Sequence, residues 1–308
     1  MAYLKLQRPE KVTVPAVRAT KERGERLVCL TAYDYPTARI VDEAGTDLIL
    51  VGDSLGNVVL GYDSTVPVTL EEMLEHTRAV RRGVERALLV ADMPYGTYHT
   101  GADDAVRAAL RLIKEGGAEA VKLEGGRSRA DVVKRLVDEE IPVVGHIGLT
   151  PQSLHRLGSY RLQGKTAGAA RALLEDARAL EEAGAFALVL EVVPREIAKL
   201  VTESLRIPTI GIGAGEHCDA QILVLHDMLG LSFTPTRPRF VRQYLNLREA
   251  MTEAIERYAE DVRGGAYPSE NESYPLPPDA AAELNASPDN PVNTPLEHAK
   301  GDAEIEQS

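Results

Sequence analysis

The chain has 308 residues, 44% hydrophobic and 27% charged, and its 47 Asp and Glu outweigh 35 Lys and Arg to give a net charge of −12. No run approaches the roughly 20 apolar residues that span a bilayer, and an acidic chain without a basic stripe excludes a nucleic-acid surface. Two cysteines, Cys29 and Cys218, are too few for a disulfide framework or a cysteine metal cluster.

The charge is unevenly placed. Residues 268–308 hold nine Asp or Glu and one Lys, which accounts for −8 of the −12. The first 26 residues alternate basic and polar side chains without an apolar segment, so a cytoplasmic location is expected.

In chain order, 15–23 reads as a short helix placed to cover one end of the fold. Eight short apolar runs then follow, at 27–33, 47–52, 87–91, 120–123, 143–146, 186–190, 209–212 and 222–226. Their near-continuous apolar character suits parallel strands buried on both faces. Between them lie amphipathic stretches at 70–82, 102–115, 129–139, 167–183 and 195–205, several stopped by glycines such as Gly45, Gly83, Gly116 and Gly184. Eight strand-helix units in about 200 residues predict an α/β fold, a single (β/α)8 barrel. A long terminal helix is expected at 247–263. The catalytic domain is then 1–267, and 268–308, rich in Pro, Asn, Ala and acids with little to bury, is expected to be a flexible tail.

In such barrels the chemistry lies at the C-terminal ends of the strands. The polar residues there are Asp53 and Ser54 after the second run, Asp92 after the third, Lys122 and Glu124 in the fourth, His146 in the fifth and Glu191 after the sixth. Asp53, Asp92 and Glu124 form an all-oxygen set suited to a hard cation such as Mg²⁺. Such an ion could chelate a 2-oxo acid and make the adjacent carbon acidic, with Lys122 as a second positive charge. Glu191 is the candidate base because it stands on a different strand from the other three carboxylates, and His146 borders the pocket. Taken singly, Asp53 and Asp92 would serve equally as turn caps, Lys122 and Glu124 as a buried pair, and Glu191 as a partner for loop backbone. Their recurrence at one level on successive strands is what a purely structural role does not predict. Gly211–Gly215 resembles a phosphate cradle but lacks the spacing of a nucleotide motif, so a tight turn lining the pocket is the expectation. His226 and Asp227 are placed at the pocket's border.

The strings Leu30–Pro36, Val51–Gly56, Asp63–Thr65, Val121–Gly126, Gly145–Ser153, Leu190–Glu191, Ile210–Gly215 and Gln221–Asp227 resemble, in order, those of the ketopantoate hydroxymethyltransferase family, over about 12–274. The resemblance implies Mg²⁺-dependent transfer of a one-carbon unit from 5,10-methylenetetrahydrofolate, or a related pterin, to 3-methyl-2-oxobutanoate. It implies Asp53 and Asp92 as metal ligands that also contact substrate, and Glu124 as a ligand directly or through water. Ser54 and Lys122 would hold the keto acid, and Glu191 would accept the proton. A homo-oligomer, a decamer of paired pentamers, is implied as well. One departure stands in Pro268–Tyr274, where Glu272 replaces the family's histidine. Two other readings compete: a carbon-carbon lyase of the phosphoenolpyruvate-mutase and isocitrate-lyase type, and a catalytically silent barrel. The absence of a clear catalytic-cysteine loop, with Gly148–Ser153 present, disfavours the first; retention of every metal carboxylate disfavours the second.

Overall fold

The computed structural model describes residues 10–233 and 237–286. These fall into two units, divided between Arg248 and Glu249. In the first, eight parallel strands close into a barrel in sequence order: β1 (Leu27–Thr31), β2 (Leu48–Val51), β3 (Leu88–Asp92), β4 (Ala120–Glu124), β5 (Val143–Gly148), β6 (Ala187–Glu191), β7 (Thr209–Ile212) and β8 (Ala220–Leu223). β8 pairs back onto β1, with Leu27 opposite Ala220. The helices of this unit are α1 (Val14–Arg23), α2 (Tyr35–Glu43), α3 (Leu55–Val58), α4 (Leu70–Gly83), α5 (Ala102–Lys114), α6 (Ala130–Asp138), α7 (Leu154–Leu157), α8 (Ala167–Glu182), α9 (Arg195–Ser204) and α10 (Leu225–Leu229). Among the described residues no helix is long and apolar enough to cross a membrane.

Alternation along the strands divides the apolar residues into two layers. Cys29, Leu48, Leu50, Leu88, Val90, Ala120, Val144, Ala187, Val189, Ile210 and Ile222 pack together inside the barrel. Their neighbours Ile49, Val51, Leu89, Ala91, Val121, Leu123, Val143, Leu188 and Leu190 join the layer beneath the helices. Successive strand residues point to opposite faces, so Asp92, Lys122, Glu124, His146 and Glu191 continue the inward set above the apolar filling. Sequence parity alone therefore aims five polar side chains at one cavity.

The N-terminal end of the barrel is closed by α1. Thr13 caps this helix by accepting from the Ala16 amide, and Val17 is fully buried against the interior layer. Lys11 donates to Ala87 O and pairs with Glu119, while Lys21 donates to Thr202 O and pairs with Asp219, which clamps the segment to the strand ends.

Strand seven matches the sequence expectation and six others differ from it only at their ends. The last is displaced: the apolar run at 222–226 was expected as a strand, but β8 ends at Leu223 and His226 lies in α10. Thr31 Oγ1 accepts from the Leu225 amide at 3.0 Å, so β1 turns the chain out of the sheet there. The second unit contains α11 (Leu247–Gly264), which starts two residues before the unit boundary, a helical turn at Glu270–Glu272, and α12 (Pro278–Ala286). Order in α12, within the stretch expected to be a flexible tail, follows from Pro278 at the first helical position and the strong helix formers Ala280–Ala282. Residues 287–308 of the acidic stretch lie outside the described residues.

Candidate active site

β3, β4, β5 and β6 run in a register that sets the polar residues side by side. Asp92 is opposite Lys122, Glu124 opposite His146, and Gly148 opposite Glu191. Lys122 Nζ lies 2.8 Å from Asp92 Oδ1 and 3.3 Å from His146 Nδ1. His146 continues the row, with Nδ1 3.5 Å from Glu124 Oε1 and Nε2 3.1 Å from Glu191 Oε2. Asp53 joins from the β2 loop, where its amide donates to Asp92 Oδ2 at 3.0 Å. Asp53, Asp92, Lys122, Glu124 and His146 are all buried, while the Glu191 side chain retains 17% exposure. Glu191 is thus the one carboxylate of the four that meets solvent appreciably.

Ser54 sits at the entrance to α3, its Oγ 2.8 Å from the Tyr33 hydroxyl. Gly52 makes this possible: a Cβ there would stand 2.7 Å from Ser54 Oγ and 3.4 Å from Asp92 Oδ2. The Tyr33 ring packs against His226, their centroids 5.3 Å apart, so His226 supports the site from behind a tyrosine. Gly211–Gly215 forms close turns rather than an open cradle, Gly213 lying against Phe240 and Gly215 against Arg195.

Sequence reasoning passed over Gln152 and Tyr98. Gln152 Nε2 donates to Asp53 Oδ2 at 2.8 Å and to Met93 O at 3.0 Å, and its amide donates to Glu124 Oε2 at 3.1 Å. Its Oε1 accepts from the Tyr98 hydroxyl, whose oxygen accepts from the Glu124 amide. A buried tyrosine in the loop after β3 reads as core, so only the Gly148–Ser153 string pointed to this network. Tyr160, half out in solvent on the β5–α8 loop, is the other omission. Burial raises its phenol pKa, and the negative charges of Asp53, Glu191 and Glu124 add to the shift.

The electrostatics are those of crowded acids. Burial first, then Asp92, pushes the Asp53 carboxyl up to about 7. Burial and the Asp53 charge hold Glu124 well above the usual carboxylate range. Burial opposes the Lys122 ammonium, but Asp92, Glu124 and Asp53 together outweigh it and raise its pKa. Burial and the Lys122 charge lower His146, which favours a neutral ring.

Among the described residues no group of three or more His, Cys, Asp or Glu side chains is placed to hold a metal ion unaided. A hard divalent ion needs less, taking one or two carboxylates and completing its shell with water and substrate. The residues present fit that demand. Asp92 Oδ1 is buried and receives no well-directed hydrogen bond from the described residues, despite the nearby ammonium, and both Asp53 and Glu124 sit in surroundings that penalise their charge. A cation between them would relieve each of these costs.

Residues 11–270 match the family described as ketopantoate hydroxymethyltransferase. Among relatives, the 3-methyl-2-oxobutanoate hydroxymethyltransferase of Koribacter versatilis (strain Ellin345) is 57% identical over 89% of this chain and 92% of its own. That of Moorella thermoacetica (strain ATCC 39073 / JCM 9320) is 55% identical over 86% and 98%. Solved structures with the same fold include phosphonopyruvate hydrolase in complex with oxalate and Mg²⁺, at 15% identity and TM-score 0.55 over 84% of this chain and 92% of that one. Oxaloacetate acetylhydrolase with the product oxalate is similar at 16% and 0.55 over 90% and 98%. Sequence, fold and the row of polar side chains agree: the chain belongs to the ketopantoate hydroxymethyltransferase family, enzymes of hydroxymethyl transfer.

Proposed function

We propose that this enzyme moves a one-carbon unit from 5,10-methylenetetrahydrofolate, or a related pterin, to 3-methyl-2-oxobutanoate, giving 2-dehydropantoate on the route to pantothenate and coenzyme A. The observation that carries the reading is four inward carboxylates crowded around one ammonium, with the solvent-facing one, Glu191, set apart from Asp53 and Asp92. Asp53 and Asp92 would hold Mg²⁺, with Glu124 directly or through water. Bound there, the ion supplies a Lewis acid that draws electron density from the ketone. Ser54 and Lys122 bind the keto acid, and Asp53 and Asp92 border it. Water adds to the donor's methylene carbon and both of its C–N bonds break, so that tetrahydrofolate leaves with hydrogen on each nitrogen and the one-carbon unit is left at the level of formaldehyde. Glu191 takes the proton from C3, the electron pair left on C3 forms the bond to that carbonyl carbon, and the proton held by Glu191 passes to the new hydroxyl oxygen. The neutral His146 ring, 3.1 Å from Glu191, orients that carboxylate as it gains the proton.

The setting we infer is the cytoplasm, which suits two buried, unpaired cysteines. The assembly we infer is a homo-oligomer of ten subunits, as the family resemblance implies. The decisive experiment follows deuterium from solvent into C3 of 3-methyl-2-oxobutanoate in the presence of Mg²⁺, then product on addition of methylenetetrahydrofolate. Metal-dependent exchange that Glu191→Gln suppresses is expected; exchange indifferent to that change would remove the base.

A further inference from the structure

Two stretches at the mouth carry cations and no acids. Residues 149–166, joining β5 to α8, contain Arg156, Arg161 and Lys165, and residues 237–246, leading into α11, contain Arg237, Arg239 and Arg242, yet neither stretch has an Asp or Glu. This occurs in a chain whose acids outnumber its Lys and Arg by 47 to 35. All six side chains belong to exposed residues. On the barrel's flank, arginines are matched to carboxylates, as in Arg39 with Glu85, Arg111 with Glu71 and Arg127 with Asp176. Among the described residues no carboxylate pairs with any of the six at the mouth. Arg161 donates to Ser159 and Arg237 to Gln243, which orients them without neutralising them.

Both stretches are fastened to the same side of the barrel. The Leu149 amide donates to Glu191 O at 2.7 Å and the Gln163 amide to Val192 O at 2.9 Å, which lays the first across the end of β6. Phe240 rests on Gly213 just beyond β7, where a Cβ would come within 2.8 Å of the ring. β6 and β7 are neighbours, with Glu191 opposite Ile212. The cations therefore border the side of the mouth on which Glu191 meets solvent. Tyr160 stands between Arg156 and Arg161 with half its surface free and Asp53, Glu191 and Glu124 within electrostatic reach, so this loop connects the rim to the interior.

A 2-oxo acid carries one carboxylate, and Lys122 inside the barrel already answers it. An uncompensated cationic rim further out calls for a second, longer anion. Resting on the donor assignment made above, we propose that these two loops bind the glutamyl carboxylates of the folate co-substrate's tail. They would deliver its one-carbon end over Glu191, with the exposed Tyr160 face available to the donor's ring system. Donors with longer oligo-γ-glutamyl tails then bind more tightly, because each added carboxylate finds another unpaired cation.

The test compares KM for methylenetetrahydrofolate bearing one and five glutamyl residues, in the wild type and in the Arg161→Gln/Arg242→Gln double variant. The wild type should favour the longer tail, less so in high salt. The double variant should raise the pentaglutamyl KM by roughly 10-fold, from the loss of two exposed charge contacts, and the monoglutamyl KM by much less. Its kcat, its keto-acid KM and its C3 exchange should be unchanged, and Arg161→Lys/Arg242→Lys should restore most of the preference. If transfer proceeds but the ratio of the two KM values is the same in wild type and variant, the tail site is overturned and the donor assignment stands. A wild type that exchanges the keto-acid proton yet uses neither folate overturns both.

Discussion

At the N-terminal end of the barrel four acids, Asp42, Asp47, Glu119 and Asp219, each have their match. Asp42 accepts from the amides of Glu85, Arg86 and Ala87, Asp47 pairs with Arg86, Glu119 with Lys11, and Asp219 with Lys21. At the opposite end Asp53, Asp92, Glu124 and Glu191 share a single ammonium and an imidazole. The residue types are the same and the wiring is opposite. Satisfied pairs close the bottom and hold α1 in place, whereas the mouth keeps anionic oxygens short of partners. Crowding of that kind costs stability and is retained where a ligand supplies the missing charge.

The comparison breaks most readily at Glu191. Glu191→Gln should lower C3 exchange by at least ~100-fold, the scale of a lost general base, while circular dichroism stays unchanged. Asp92→Asn removes the partner of a buried ammonium, and should cost about 3 kcal/mol in urea unfolding as well as weakening Mg²⁺ in calorimetric titration. A comparable substitution at the bottom, Asp47→Asn, should alter stability without touching metal affinity.

A subtler contrast is with pH. The Asp53 carboxyl is raised to about 7 in the fold, chiefly by burial and then by Asp92, from an ordinary 3.8. A raised acid binds its proton more tightly folded than unfolded. Its contribution to stability is therefore fully present below about pH 4 and lost as pH rises through about 7. Metal-free protein should lose Tm across that window, Mg²⁺ should restore more of it at pH 8 than at pH 5.5, and Asp53→Asn should flatten the slope. Gly148→Ala tests how tightly the β5 loop is tied to β6. Gly148 has φ +96° and a Cβ there would fall 2.3 Å from Glu191 O, so a loss of about 2 kcal/mol is expected, with a drop in kcat as Glu191 shifts. The smallest effect should come from Glu272→His. Glu272 accepts from the Ser269 amide and hydroxyl and closes a one-turn cap, so the change should cost at most about 1 kcal/mol and leave kcat within twofold.

Much of this is legible in the sequence alone. Short apolar runs ending in glycine-marked helices define the barrel, and period-two alternation carries Lys122, Glu124, His146 and Glu191 to its inner face. β8 departs from the expectation because Ile222–Leu225 is apolar throughout, and hydrophobicity alone does not register a turn enforced by a threonine on β1. Gln152 and Tyr98 escaped for a different reason. Their importance lies in contacts between loops after β3 and β5, and neither an amide nor a buried phenol announces itself in sequence as an electrostatic element.

Gln152 has a consequence of its own. An amide is unsymmetrical, and here its nitrogen donates to the Asp53 carboxylate and the Met93 carbonyl while its oxygen takes the Tyr98 proton. The string of hydrogen bonds from Tyr98 to Asp53 consequently runs one way. Asp53 Oδ2 and Met93 O are both acceptors and hold the nitrogen side in place, so Tyr98→Phe would leave Gln152 Oε1 without its donor and the amide unturned. The polarity of the floor beneath the acids is thus set by a carboxylate and a carbonyl, and completed by one hydroxyl on the loop after β3.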